Sequence, residues 1–315
     1  GLRHKIGIWV DDVFTWLDDG SWQFEFDYLD TSLIGITIAK NQSLSLMLEF
    51  TDMVDAEDDV FIRSLHVVNT SETERDIRVY FHQAFVISNA YSSDTVQYVP
   101  DDDAILHYKG RRYFMVAGRD KDDKVFEQFA VGLHGIEGRD GTFRDAEDGE
   151  LSRNAVEHGQ VDSVIGFVCP LKPHDSTRIN YWVAAGKTID EARDLHHQIL
   201  RSGVSQRLLR TDAWWRNWLR PAVRAAEKID TSYREDFIQS VMLIKAHIDN
   251  HGAVTASTDT TMLNFSRDAY AYCWPRDAGY ALWPLLRMGY KSELVNFFDF
   301  CRRVLHREGY LMHKY

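Results

Sequence analysis

The sequence predicts a chain of β-then-α order: a large antiparallel β-sandwich followed by the helices of an all-α domain. Three observations predict it. From Ile6 to about Ala185, apolar and polar residues alternate with the period of half-buried strands. Turn-rich pieces separate these runs with no helical pattern between them, which favours hairpins and meanders over a doubly wound sheet. At Thr188 the period lengthens to that of a helix, and amphipathic helices follow in succession.

The front region is read from stretches such as Phe24-Glu25-Phe26-Asp27-Tyr28, Leu44-Ser45-Leu46 and Ile77-Arg78-Val79, each alternating as a strand does. Turns are expected at Leu17-Asp18-Asp19-Gly20 and at Glu137-Gly138-Arg139-Asp140-Gly141. Thr188 is a helix cap with Glu191 as its capping-box partner, and Ala192, Leu195 and Ile199 follow at helical spacing. The next helix carries Trp214, Trp215 and Trp218, read as packing between domains in preference to a ligand platform, and Pro221 is expected to end or kink it. A helix from about Thr231 places Phe237, Val241, Ile244 and Ile248 on one stripe and stops near Asn250-His251-Gly252. Another follows Pro275. The last runs from Ser292 with Leu294, Phe297, Phe298, Cys301, Val304 and Leu305 together. These changes of period divide the chain into a sandwich over 1–187, a helical linker over 188–228 and a helical domain over 229–315.

Composition narrows the function. A chain of 315 residues, 44% hydrophobic, can bury a core in each of two domains. Its net charge of −12, with acidic clusters at Asp101-Asp102-Asp103 and Asp120-Lys121-Asp122-Asp123, argues against nucleic acid or anionic membrane as partner, because both need a basic face. Neutral substrates fit better. Three cysteines, Cys169, Cys273 and Cys301, have neither disulfide-framework nor zinc-knuckle spacing. No apolar run is long enough to span a bilayer and no signal core is visible, so a cytoplasmic location is expected, with secretion left open. Sequons stand at Asn41, Asn69 and Asn264. His196 and His197 are adjacent and cannot jointly hold one metal on a helix. The aspartates at 101 to 103 read as an exposed turn rather than a calcium loop. No phosphate loop, nucleophile elbow or Cys-His pair is present, so no cofactor or metal is expected.

The stretch from Ala271 to Pro284 holds the candidate binding residues, Trp274, Arg276 and Asp277. Pro275 at the first helical position and Asp277 in the first turn have a purely structural explanation. The same corner, with Trp274 and Arg276 beside a loop at Gly252-Ala253-Val254-Thr255-Ala256-Ser257, also suits a neutral sugar. A flat apolar ring covers the C–H face of a pyranose while fixed polar groups meet its hydroxyls. Periodicity does not choose between the two.

The run Tyr272-Cys273-Trp274-Pro275-Arg276-Asp277-Ala278, the loop at Gly252 to Ser257 and the ending Gly309-Tyr310-Leu311-Met312-His313-Lys314-Tyr315 resemble prokaryotic glucoamylase-type enzymes of glycoside hydrolase family fifteen. So do Ile6-Gly7-Ile8-Trp9-Val10-Asp11-Asp12 with Phe14-Thr15-Trp16, and Asp94-Thr95-Val96-Gln97-Tyr98-Val99-Pro100. The resemblance implies an N-terminal super-β-sandwich, linker helices and the first helices of an (α/α)6 barrel over 229–315. It also implies an exo-acting, inverting α-glucosidase that needs no cofactor, the alternatives being a trehalase or α-1,6-glucosidase of the same family or a noncatalytic carbohydrate-binding protein. Arg276 and Asp277 would bind hydroxyls of the terminal glucose of an α-glucan or α-glucoside, and Trp274 would wall that subsite. The family's two catalytic glutamates lie in later segments, so no catalytic residue is expected within this chain, which reads as an internal piece of a longer enzyme. Glu235, Glu293 and Glu308 read as solvated. A partial barrel would leave the last helix's apolar stripe open, so a homo-oligomer is expected.

Overall fold

The computed structural model describes residues 4–87, 93–258 and 271–315. Among the described residues, fourteen strands are followed by five α-helices. The strands are β1 (Lys5–Val10), β2 (Val13–Trp16), β3 (Gln23–Tyr28), β4 (Gly35–Asn41), β5 (Leu46–Val54), β6 (Val60–Asn69), β7 (Arg75–Gln83), β8 (Asp94–Val99), β9 (Ala104–Lys109), β10 (Arg112–Asp120), β11 (Gln128–Leu133), β12 (Val156–Gly159), β13 (Val161–Leu171) and β14 (Ser176–Gly186). The helices are α1 (Ile189–Ser202), α2 (Val204–Ala226), α3 (Arg234–Ala246), α4 (Pro275–Met288) and α5 (Lys291–Val304).

Every ladder between these strands is antiparallel, and they form two sheets. One has five strands in the order β11-β13-β7-β1-β2; the other has nine in the order β12-β8-β9-β10-β14-β6-β5-β4-β3. Alternation explains the layering. Ile77 and Val79 of β7 are fully buried against Leu48, Leu65 and Ile105 of the larger sheet, while Arg78 between them points to the other face and lies 4.1 Å from the Trp9 ring. Burying each such aliphatic side chain contributes roughly 1.5–3 kcal/mol. The hairpin between β1 and β2 turns at Asp11 and Asp12, both at positive φ (45° and 70°), the conformation that matches the twist of two-residue hairpins.

Two strand expectations need correction. Leu44-Ser45-Leu46 is a turn entering β5, with Ser45 at φ 52°. In β3, an edge strand of the nine-stranded sheet, Phe24 and Phe26 are exposed at 38% and 76% and stack on each other at 5.8 Å. Alternation reports two faces of a strand but does not say whether anything covers either.

The chain divides into two compact units; the main division falls between Thr211 and Asp212, within α2, and the short segment Asp30–Leu33 groups with the helical unit. The sandwich unit thus retains α1 and the start of α2, past the change of period at 187/188. Thr188 caps α1 by accepting from the Glu191 N–H at 3.1 Å, and the Glu191 carboxylate reaches back to the Lys187 N–H at 2.7 Å, one residue before its expected target. The α1 helix buries Ala192, His196 and Ile199. Asp102 belongs to no exposed turn: it is buried, with its carboxylate held by Arg193 at 2.8 Å and His197 at 3.1 Å. Asn41 and Asn69 are also buried, and their amide nitrogens donate to the Ser21 hydroxyl and to the Thr73, Leu171 and Lys172 carbonyls respectively, so neither sequon offers a free amide. The sequon at Asn264 lies outside the described residues.

Helix α2 continues through Pro221, so the proline does not end it. Proline removes a donor and crowds the preceding turn, and here a neighbour repairs the ladder. The Tyr290 hydroxyl donates to the Trp218 carbonyl at 2.9 Å and accepts from the Ala222 N–H at 3.3 Å, standing between two groups that would otherwise bond directly. Helix α3 begins after a 3₁₀ turn at Thr231–Tyr233 and ends at Ala246, so Ile248 lies beyond it. In α5 the buried residues are Glu293 and Phe297, whereas Phe298, expected on the same stripe, is 66% exposed.

Candidate functional site

Three segments of the helical unit meet at the start of α4. Thr255 bridges Cys273, and the Ala256 N–H donates to the Tyr272 carbonyl at 3.0 Å. Cys273 and Tyr315 exchange both backbone hydrogen bonds, each 3.0 Å long. The loop after α3, the Trp-Pro-Arg-Asp box and the final residues are therefore neighbours in one short ladder. Gly252 permits the first of them to turn. It sits at φ 86°, and a Cβ there would stand 2.1 Å from the Asn296 backbone oxygen of α5, closer than any side chain can come. Asp249 fixes the same turn by accepting from the His251 and Ala253 N–H groups, both at 2.8 Å.

Trp274 is the extended residue that caps α4, with φ −98° and ψ 114°, as the residue before a proline prefers. Pro275 opens the helix and the Ala278 N–H closes its first bond on the Trp274 carbonyl at 2.9 Å. The next two residues project outward: Arg276 and Asp277 have side chains 72% and 53% exposed and pair with each other at 3.1 Å. Tyr272 meets Trp274 edge to face at 5.8 Å, and the Lys314 ammonium lies 4.3 Å from the Tyr272 ring centre and 5.9 Å from that of Trp274. The three predicted binding residues thus share one corner, together with Tyr272 and Lys314, which the sequence reading did not select.

This corner offers an indole face, an ammonium and a guanidinium beside a carboxylate. That is a set for holding hydroxyls. Among the described residues it contains one side-chain carboxylate, and inversion at an acetal needs two of them on opposite sides of the bond. Burial pushes the Cys273 thiol up, so it stays protonated and unreactive.

The glutamates divide. Glu235 and Glu308 are exposed, as expected. Glu293 is not: it is 6% exposed, its Oε1 accepts from the Trp218 indole N–H at 2.8 Å, its Oε2 accepts from Ser292 at 2.6 Å, and the Lys245 ammonium lies 3.6 Å away. Burial works to raise its carboxyl, but these donors and the lysine hold it below the ordinary value, so it remains ionised. Trp218 also stacks on Tyr290 at 4.3 Å, and Lys245 lies 5.7 Å from the Trp218 ring centre. The tryptophans of α2 are therefore packing residues within the helical unit. A signal existed for Glu293: a carboxylate four residues before Phe297 falls on the helix's buried face.

A sheet-built front half passing to helices, with this box at a helix start, has the layer order of the glycoside hydrolases expected above. Comparison with known proteins agrees: the family model of glycosyl hydrolases family 15 matches residues 231–315, and the chain is similar in fold to a bacterial glucoamylase. It is 20% identical over 315 residues to an uncharacterized glycosyl hydrolase, MJ1610, of Methanocaldococcus jannaschii, covering 97% of this chain and 48% of that protein. Among solved structures it superposes on a bacterial glucoamylase complexed with acarbose, with a TM-score of 0.76 and 13% identity, over 98% of this chain and 46% of that one. A putative kojibiose phosphorylase from the human microbiome gives a TM-score of 0.60 at 10% identity, over 96% of this chain and 39% of that one. The chain spans about half the length of the curated relative it matches.

Proposed function

We propose that this chain is the sandwich and the opening barrel helices of an exo-acting, inverting α-glucosidase that removes terminal glucose from α-glucans. In this reading 229–315 begin an (α/α)6 barrel, Arg276 and Asp277 bind hydroxyls of the terminal residue, and Trp274 walls the subsite. The observation that carries it is the ladder at Thr255, Cys273 and Tyr315, which gathers the three family-like stretches around those side chains. The matched glucoamylase, solved with acarbose, supports a carbohydrate ligand for this fold. The acid and base are supplied by segments other than the described ones, so the 315-residue chain alone should release little or no glucose.

The test is to incubate the complete gene product with maltooligosaccharides and follow the product anomer by NMR. Appearance of β-glucose first supports the reading; release of no glucose removes it. A panel including trehalose and α-1,6-linked substrates separates the specificities open to such a site. The fold likeness to a kojibiose phosphorylase favours one second reading, phosphorolysis. Turnover that depends on inorganic phosphate and yields glucose 1-phosphate would establish it instead.

A further inference from the structure

In the sandwich unit, far in sequence from the box, three side chains with metal-binding atoms converge. His82 lies on β7 opposite Val164 of β13, Asp162 lies two residues earlier on β13 opposite Gly132 of β11, and His134 follows the end of β11. His82 Nε2 is 2.9 Å from Asp162 Oδ2, His134 Nδ1 is 3.5 Å from the same oxygen, and the ligand atoms of all three lie within 4.8 Å of one another. The side chains of His82 and Asp162 are 1% and 0% exposed, and that of His134 is 32% exposed.

An ion pair explains His82 beside a buried carboxylate. His134 brings a second imidazole to the same oxygen, its buried Nδ1 at 3.5 Å, too long for a well-formed hydrogen bond. The carboxylate is aimed by the backbone: the Thr142 N–H stands 3.0 Å from Oδ1 and 2.8 Å from Oδ2. The space between Asp162 and His134 is kept clear by Gly141, at φ 144°, where a Cβ would come within 2.5 Å of Asp162 Oδ2 and 2.7 Å of His134 Nδ1. Around a tetrahedral Zn²⁺ with bonds of about 2.0–2.1 Å, ligand atoms stand roughly 3.3 Å apart. The observed 2.9 and 3.5 Å bracket that spacing.

We propose that His82, His134 and Asp162 form a site for a divalent transition metal, Zn²⁺ being the ion that two imidazoles and a carboxylate favour. The ion replaces the proton between His82 and Asp162, and its fourth position opens to water on the side where His134 is exposed. It ties β7, β13 and the segment leading to the 3₁₀ turn at Thr142–Asp148. Its role is therefore to fasten the end of the smaller sheet, independent of the proposed sugar subsite.

The experiment uses the tag-free chain, stripped with chelator and titrated with ZnCl₂ in a calorimeter. One ion per chain binding at or below about 10 µM is expected, with a rise of several degrees in Tm. Co²⁺ in its place should give visible absorption of tetrahedral intensity. His134→Ala, with its fold checked by circular dichroism, should lose at least roughly 100-fold in affinity. Failure to bind Zn²⁺ at about 1 mM, or unchanged affinity in folded His134→Ala, overturns the proposal. If that variant does not fold, imidazole ¹⁵N shifts in the unaltered chain decide: Zn²⁺ must move two histidines, and no movement refutes the site.

Discussion

Glu293 holds a charge in a place that burial alone would forbid, and its donors decide the outcome. Removing the carboxylate leaves Lys245 and the Trp218 N–H without their partner, so Glu293→Ala should cost about 3 kcal/mol in chemical unfolding, with Glu293→Gln costing less. The pH sign follows from its lowered value: this contribution is present above the ordinary 4.5 and is lost as pH falls through the lower folded value. Asp277 is the opposite case. It is exposed and pairs with Arg276, so Asp277→Asn in the complete enzyme should leave Tm nearly unchanged while lowering kcat/KM on the order of 100-fold. A large fall in Tm with normal turnover would return Asp277 to a helix-capping role. At this scale the box was legible because Trp, Pro, Arg and Asp are adjacent in the chain. The Glu293 network and the cluster of His82, His134 and Asp162 were not, since their members come from separate elements and only packing or strand register joins them.

Among the elements, α2 shows why a local rule failed. Proline weakens a helix by a lost hydrogen bond and a crowded turn, and here the Tyr290 hydroxyl bridges the next rung, between the Trp218 carbonyl and the Ala222 N–H. Tyr290→Phe should therefore destabilise the helical unit by about 1–3 kcal/mol by leaving a buried N–H and carbonyl unpaired. A variant with unchanged urea midpoint would show that the helix closes the gap unaided. The presence of strands along the front half, the α1 cap and the starts of α4 and α5 were readable because each depends on spacing within one segment; the order of the strands in the two sheets depends on pairing between segments and was not. The end of α3 and the exposed face of β3 were not, because they depend on what lies alongside.

At the level of the whole molecule, two properties follow from surface and burial. His107 is buried and its value is pushed down to about 3 by burial; His196, which accepts from the Trp182 indole N–H, is pushed down to about 4 by burial and by His197. Both are neutral when folded and titrate near 6.5 when unfolded. The unfolded chain thus binds more protons below 6.5, and sandwich stability should fall as pH drops from there, by up to about 1.4 kcal/mol per pH unit per histidine. In His196→Gln, whose amide oxygen can still accept from Trp182, urea midpoints should decline less steeply; equal slopes would assign the acid loss elsewhere. The second property is apolar surface. Tyr280 and Trp283 on α4 are 78% and 60% exposed, and Val295 and Phe298 on α5 are 59% and 66% exposed. We propose that the 315-residue chain self-associates through these helices. Light scattering should give a mass that rises with concentration in the micromolar range, and Trp283→Glu with Phe298→Glu should restore the monomer. A constant monomer mass for the unaltered chain up to about 100 µM would mean that this surface is not sticky enough to pair, since burying the four side chains should contribute several kcal/mol against the cost of association.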